Sequence, residues 1–398
     1  MSELYNLITS LCPEGVEYKP LGEVGTFIRG NGLQKSDFTD RGVGCIHYGQ
    51  VYTYYGLFAY QTKSFVSIEL AKKLRKAHNG DLVIATTSEN IDDVCKAVAW
   101  LGEEDIAISG DSYVFRHNLD PKYVAYFFSS AYFQKQKRPF VTGTKVMRVS
   151  DVGMSKIEIP VPPIEVQRKI VEILDNFSEL TAELTAELTS RQKQYQYYRD
   201  NILNFSGITT PPHRENDVIK RLKLSSLVSI TTGKLNANAM AENGKYPFFT
   251  CDSEVYRINE YAFDEEAILV SGNGSQVGHI HYYKGKFNAY QRTYVLYGIN
   301  DNVNTQYLLF YLKAFLKEHI IKLAKKGSVP YITLPMLADF SIPIPSIKEQ
   351  NRIVGILRHF DFYNNDLSLG LPAEIKARQQ QYEYYRDKLL TFKRKTVA

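Results

Sequence analysis

The chain has 398 residues, of which 44% are hydrophobic and 23% charged, and its net charge is +5. That length holds two or more domains with ordinary cores, no apolar run is long enough to cross a bilayer, and the mild basic balance permits a nucleic-acid partner without requiring one. Four scattered cysteines (Cys12, Cys45, Cys95, Cys251) lack metal-ligand or redox spacing, and the start, MSELYNLITSLCPEG, has neither a basic n-region nor an apolar h-region. Reduced thiols and a cytoplasmic location are therefore expected.

The first variable region opens with PLGEVGTFIRGNGLQKSDF, a short apolar segment that ends in a glycine turn and a polar loop. CIHYGQVYTYYG, GDLVIATTSENIDDV, an alternating strand at Ser112–Arg116 and the apolar stretch Tyr123–Phe128 follow, with short helices among the strands. This mixture predicts a compact α+β domain over residues 1–155. Basic residues gather before the next segment: Lys135, Lys137, Arg138, Lys145 and Arg148. Such a cluster suits phosphate contacts, and it equally suits a solvated helix face. Arginine, lysine and carboxamide side chains in polar loops suit base edges, so Arg29, Lys35, Tyr48, Gln50, Lys145 and Arg148 are the nucleic-acid candidates here.

Residues 156–206 form a central helical spacer, with one long helix expected over 163–205. Ile164, Ile170, Val171, Ile173, Leu174 and Phe177 form a stripe at helical spacing, a tandem TAEL follows, and Tyr195, Tyr198, Ile202 and Phe205 resume the stripe. A polar, Pro-containing stretch at 207–218 marks a linker. A second α+β domain is expected over 207–340, with Leu224, Leu227, Ile230 and Gly233 matching Leu21, Val24, Phe27 and Gly30. EEAILVSGNGSQVGHI sits beside GDLVIATTSENIDDV, an alternating strand is expected at Arg292–Tyr297, and Tyr307–Leu312 matches Tyr123–Phe128. Lys313, Lys317, Lys322, Lys325 and Lys326 form the second basic cluster. The candidates here are Lys234, Asn236, Asn273, Ser275, Gln276, Arg292, Lys326 and Tyr331.

The final segment, 341–398, prints the helical text a second time. IPVPPIEVQRKIVEILDNF (159–177) and IPIPSIKEQNRIVGILRHF (342–360) share 10 of 19 residues at an offset of 183, and RQKQYQYYRDNILNF (191–205) and RQQQYEYYRDKLLTF (378–392) share 10 of 15 at an offset of 187. A repeat near half the chain length dictates architecture before any propensity does. Ser346 and Glu349 supply a capping box, and Gly370 and Pro372 should interrupt this copy. The order domain, helix, domain, helix predicts two α+β globules separated by two long antiparallel helices. A plain coiled-coil spacer is the simpler reading of those helices. The duplicated Tyr and Arg residues favour a docking face used twice, with Gln167, Tyr195, Tyr198, Arg199, Gln350, Tyr382, Tyr385 and Arg386 as candidates.

No catalytic constellation emerges. Ser271–Gly278 is glycine-rich but leads into a strand, so it is neither a P-loop nor a dinucleotide fingerprint. Gly233-Lys234-Leu235 lacks the rest of a Walker motif, His279 and His281 lack a third ligand nearby, and no NPPY-type or DPPY-type tetrapeptide occurs.

The duplicated IPxPxxxxQ openings with Gln167 and Gln350, the RQxQYxYYRD segments, the TAEL tandem, GLPAEI at 370–375, and the PLGEV and CIHYGQVYTYYG stretches together resemble the specificity subunit of type I restriction-modification systems. The resemblance spans essentially the whole chain. It implies a non-catalytic DNA reader whose two target recognition domains each bind one half of a bipartite, asymmetric site in double-stranded DNA. It also implies that the helices set the spacing and dock two methyltransferase subunits, that restriction subunits can join, and that S-adenosylmethionine and ATP belong to those partners, with no cofactor on this chain. The rival expectation is a two-headed, non-catalytic scaffold that binds proteins instead of DNA.

Overall fold

The computed structural model describes residues 2–205, 219–323, 331–365 and 371–395, apart from the side chains of 2 and 361–365. The linker at 207–218, Lys325, Lys326 and Gly370 lie outside the described residues. The chain divides into two compact units, residues 1–185 with 375–398, and residues 186–374.

Unit 1 is built on β1 (Gly25–Arg29), β2 (Phe58–Ala59), β3 (Leu82–Ala85), β4 (Lys96–Trp100) and β5 (Ser112–His117). The sheet order is β1-β5-β3-β4-β2, antiparallel except for β2 against β4. Period-two alternation sends Leu82 and Ile84 of β3 towards the helices, while Val83 and Ala85 face a second, four-stranded sheet that includes residues 43–46 and 106–108. Ser112 to Phe115 are all buried, unlike the half-exposed alternation expected there, because β5 is an inner strand covered on both faces.

Unit 2 repeats this plan with β6 (Ser229–Thr232), β7 (Tyr246–Phe249), β8 (Val255–Ile258), β9 (Phe263–Ser271), β10 (Ile280–Ala289) and β11 (Thr293–Tyr297). Its order is β6-β11-β9-β10-β7-β8, and β7 runs parallel to β10 as β2 does to β4. Ile268, Val270 and Leu296 face the helices, while Ala267, Leu269 and Val295 pack beneath Phe249 and Phe287. Strand β11 is also an inner strand, so Thr293, Val295 and Leu296 are all buried and the alternation expected over Arg292–Tyr297 is likewise absent. Five strands in one order with one parallel pair establish a shared scaffold that the loop sequences had obscured.

The main helices are α1 (Pro121–Ser129), α2 (Ile164–Asn204), α3 (Thr305–Leu323), α4 (Ile347–Asn365) and α5 (Leu371–Leu389). Helix α2 has 41 residues and is about 61 Å long. In unit 1 its proximal stripe (Val166, Ile170, Val171, Leu174) is buried against Tyr123, Tyr126 and Phe127 of α1. Phe177 stacks on Tyr385 at 5.3 Å, and Ser178 lies near Tyr382, so α2 and α5 run in opposite directions within this unit. In unit 2 the distal stripe of α2 (Tyr195, Leu203) joins Ile353, Val354 and Leu357 of α4, and Tyr195 meets Phe360 at 6.3 Å. Pro372 falls in the first turn of α5, where its missing N–H has no partner to lose. Beyond α5 the chain is stitched to its own beginning, with Val16 and Lys393 to Lys395 exchanging backbone hydrogen bonds and Arg394 paired with Glu158.

One buried glutamine fastens each head to its helix. Gln167 accepts the Asp120 N–H at 2.9 Å and donates to the Pro162 carbonyl at 2.8 Å. Gln350 accepts the Asn304 N–H at 2.8 Å and donates to the carbonyls of Pro345 at 2.9 Å and Asn302 at 3.0 Å. Asp120 and Asn304 cap α1 and α3, and the hydroxyls of Tyr123 and Tyr307 reach the carbonyls of Pro160 and Pro343. The two latches share these contacts at an offset of 183 or 184 residues, and the bond to Asn302 is made by Gln350 alone.

Candidate nucleic-acid interface

In unit 1 the polar loops meet at one end of the main sheet, around the turn at 109–111. Arg29 closes β1 and donates from Nε to the Gly110 carbonyl at 3.4 Å. Gly30 lies so close to the Ser109 carbonyl that a Cβ would collide with it, and Gly233 is pressed in the same way against the Ala289 carbonyl. Tyr48 donates its N–H to Ser109 Oγ at 2.8 Å, and Lys35 lies beside Gly49. Thr87 donates to Asp111 Oδ1 at 3.3 Å and pairs with Arg148 across a short ladder. Arg148 and Thr142 exchange backbone hydrogen bonds at the base of a hairpin whose exposed turn carries Lys145. Arg29, Lys35, Tyr48, Lys145 and Arg148 therefore gather at one sheet end, with Arg29, Lys35, Lys145 and Arg148 exposed.

Gln50 does not belong to this set. It is 9% exposed; its Oε1 accepts the His47 N–H and its Nε2 donates to Ser64 Oγ, so both ends of the amide are used in capping a short helix. Lys137 is likewise no phosphate ligand. It is fully buried and donates to the carbonyls of Asp92 and Val94, while Arg138 pairs with Asp92 at 3.2 Å. Burial holds the Lys137 ammonium below the usual lysine range. Part of the first basic cluster thus anchors the 86–95 loop from within.

In unit 2 the corresponding turn is 290–292. Leu235 bridges Tyr290, Gln291 donates from Nε2 to Asn236 Oδ1 at 2.7 Å, and the Arg292 carbonyl accepts from Gly272. Asn273 bridges Tyr331, and the loop 272–278 exposes Ser275 and Gln276. Asn273, Ser275, Gln276, Tyr256 and Tyr290 line a groove of about 380 Å³. The second basic cluster abuts this loop, with Lys317 against Gly278. His279 is held below the usual histidine range mainly by burial, with the charges of His281, Lys313 and Lys317 adding to it. Lys234, Asn236, Asn273, Ser275, Gln276, Arg292 and Tyr331 thus share one sheet end, and Lys326 lies outside the described residues. A larger cavity in unit 1, about 570 Å³, is lined by Glu103 and Glu104 beside Tyr60 and Trp100, and its carboxylates disfavour phosphate.

The distal helical repeats are arranged differently from expectation. Gln167 and Gln350 are 3% and 0% exposed with both amide ends occupied, so they are latches and cannot dock a partner. Tyr195 is buried, and Arg199 lies over its ring at 5.8 Å as Arg386 lies over Tyr382 at 5.7 Å. The outward residues are Tyr197 (65% exposed) and Tyr384 (60% exposed), with Tyr198 at 41%. Tyr197 and Tyr384 were missed by sequence reasoning, although helical phase pointed to them. A residue two positions from a buried one lies about 200° around the helix.

Among the described residues no group of three metal-ligating side chains occurs, and no helix is long and apolar enough to cross a membrane.

The family model for the type I restriction modification DNA specificity domain matches residues 13–191 and again residues 217–377. A Mycoplasma pneumoniae chain described as a type I specificity subunit is 34% identical over 238 residues, 58% of this chain and 92% of that one. The EcoR124I/EcoR124II specificity subunit of Escherichia coli is 32% identical over 278 residues, 63% of this chain and 67% of the relative. Among solved structures, a chain from a study of type I R-M complex assembly and conformational transition superimposes with a TM-score of 0.65 at 19% identity, covering 94% of this chain and 97% of that one. The S subunit from M. genitalium gives 0.55 at 14% identity, covering 94% and 96%. Two matches to one domain model, spaced like the two sheets and the two latches, make this chain a member of the type I restriction-modification specificity subunit family.

Proposed function

We propose that this chain reads DNA sequence for a type I restriction-modification complex and performs no chemistry itself. It binds DNA and assembles with the other subunits of the complex. Each unit takes one half of a bipartite, asymmetric site in double-stranded DNA. The observation that carries this reading is one sheet scaffold built twice, with unlike polar side chains at the same end. Lys35, Lys145, Lys313 and Lys317 suit phosphates, while Arg29, Arg148, Asn236, Asn273, Gln276 and Arg292 suit base edges. Helix α2, whose residues belong to both units, acts as the ruler for the gap between half-sites. Two methyltransferase subunits dock on the repeated faces around Tyr197, Tyr198 and Arg199 and around Tyr384, Tyr385 and Arg386. Restriction subunits join that assembly, S-adenosylmethionine and ATP sit on the partners, and the complex works in the cytoplasm.

Duplex binding by the chain together with its methyltransferase subunit tests this. The logarithm of affinity should fall linearly with log salt, with a slope of about −0.9 per phosphate neutralised and several phosphates engaged. A complex that forms but leaves duplex DNA unbound at low salt would favour the two-headed protein scaffold instead.

A further inference from the structure

The internal repeat extends upstream of the stretch legible in the sequence, to residues 148 and 331. Val149 donates its N–H to Thr86 O, and Ile332 donates to Gly272 O. Ser150 caps a short helix by accepting from Gly153 N, and Thr333 does the same with Met336 N. Both pairs keep the offset of 183 that aligns Gln167 with Gln350. Immediately before them, Arg148 pairs with Thr87, the second residue past β3, and Tyr331 pairs with Asn273, the second residue past β9. The apolar and capping residues at this joint are alike in the two units, and the side chain they present is not. Arg148 is exposed and Tyr331 is 48% exposed, each beside the turn where the other polar loops converge.

We infer that residues 148 and 331 are equivalent specificity-determining positions, with Arg148 reading a guanine in the half-site of unit 1 and Tyr331 giving no guanine preference at the matching position of the other. The inference rests on the DNA-reading function proposed above. A guanidinium presents a planar fork that matches O6 and N7 of guanine, a pairing a phenol cannot make. The neighbours agree with this division. Arg29 bonds Gly110 and Arg148 pairs with Thr87, which bonds Asp111, so both arginines belong to the 109–111 turn. Tyr331 instead pairs with Asn273, and that sheet end also carries the carboxamides of Gln276, Asn236 and Gln291, which suit adenine.

The test is selection of bound duplexes, from a library randomised in both half-sites, by the full chain in complex with its methyltransferase subunit. The wild type should select guanine at one position of one half-site, and Arg148→Gln should reduce that discrimination by about 5- to 150-fold while sparing the other half-site. Arg148→Lys keeps the charge but loses the fork, so it should lose the same discrimination with overall affinity nearly retained. Tyr331→Arg should add a guanine preference at one position of the other half-site. Unchanged sequence selection by these variants overturns the inference while leaving the DNA-reading function intact. A uniform drop for every sequence with a shallower salt slope also overturns it, since that marks Arg148 as a phosphate contact. A wild-type complex that selects no bipartite sequence overturns the proposed function itself.

Discussion

Replacing a latch glutamine by leucine keeps its size and removes its hydrogen bonds. In Gln167→Leu the Asp120 N–H and the Pro162 carbonyl lose their partner, the latter in a fully buried bond. A buried polar group left unsatisfied costs about 1–3 kcal/mol, and a part-buried one costs about 1 kcal/mol, so the variant should lose about 2–4 kcal/mol. Gln350→Leu strands a third group, the Asn302 carbonyl, and should cost about 1 kcal/mol more. Unit 1 carries the only tryptophan of the chain, Trp100, so tryptophan fluorescence during urea unfolding reports on unit 1 alone. With a slope of about 2 kcal/mol/M, Gln167→Leu should lower the fluorescence midpoint by about 1–2 M. Gln167→Glu should fare no better, because a desolvated carboxylate would face the Pro162 carbonyl where an N–H now donates. The control is Gln380→Leu on the exposed face of α5 within unit 1, expected to shift stability by no more than about 0.5 kcal/mol. If Gln167→Leu and the Gln380→Leu control behaved alike, the latch would have no energetic meaning.

Insertion of one more TAEL unit lengthens α2 by about 6 Å and turns it about 40° beyond a full turn, against about 3.4 Å per base pair along the duplex. Methylated-site mapping should show the gap shifted by about one or two base pairs with both half-sites unchanged, and an unaltered gap would refute the ruler. Tyr197→Ala combined with Tyr384→Ala should weaken co-purification with the methyltransferase subunit by about tenfold or more at unchanged helicity, because exposed aromatics of this kind anchor interfaces. Undiminished co-purification would remove the docking assignment. Tyr195→Ala should instead destabilise unit 2, since that ring is buried among Leu203, Ile353 and Leu357.

The repeat made the architecture legible: two copies of one helical text meant two related halves, and α2 follows the expected span of 163–205 to within a residue at each end. The stripe Ile164 to Phe177 marked a buried face correctly because 3.6-residue periodicity is a local property of the chain. The same periodicity could have separated Tyr195 from Tyr197, but identity between the copies drew attention to residues repeated for packing. Repetition preserves whatever the scaffold needs, and a buried glutamine is needed as much as a docking tyrosine. Gln50, Gln167 and Gln350 look like free recognition groups in one dimension. Their partners, Ser64, Asp120 and Asn304, lie 14 to 47 residues away.

By itself, then, the amino-acid order determined the duplication, the α+β character of each half, the long helices and the absence of a recognisable catalytic motif, all of which depend on spacing along the chain. Tertiary structure alone decided which polar side chains remain available. It spent Gln50, Lys137, Gln167 and Gln350 on buried backbone and side-chain partners, turned Tyr197 and Tyr384 outward, and placed Arg148 and Tyr331 at matching points of two sheets. The physical reason is that a buried amide or ammonium must find a partner wherever the fold brings one, and sequence distance carries no record of that choice.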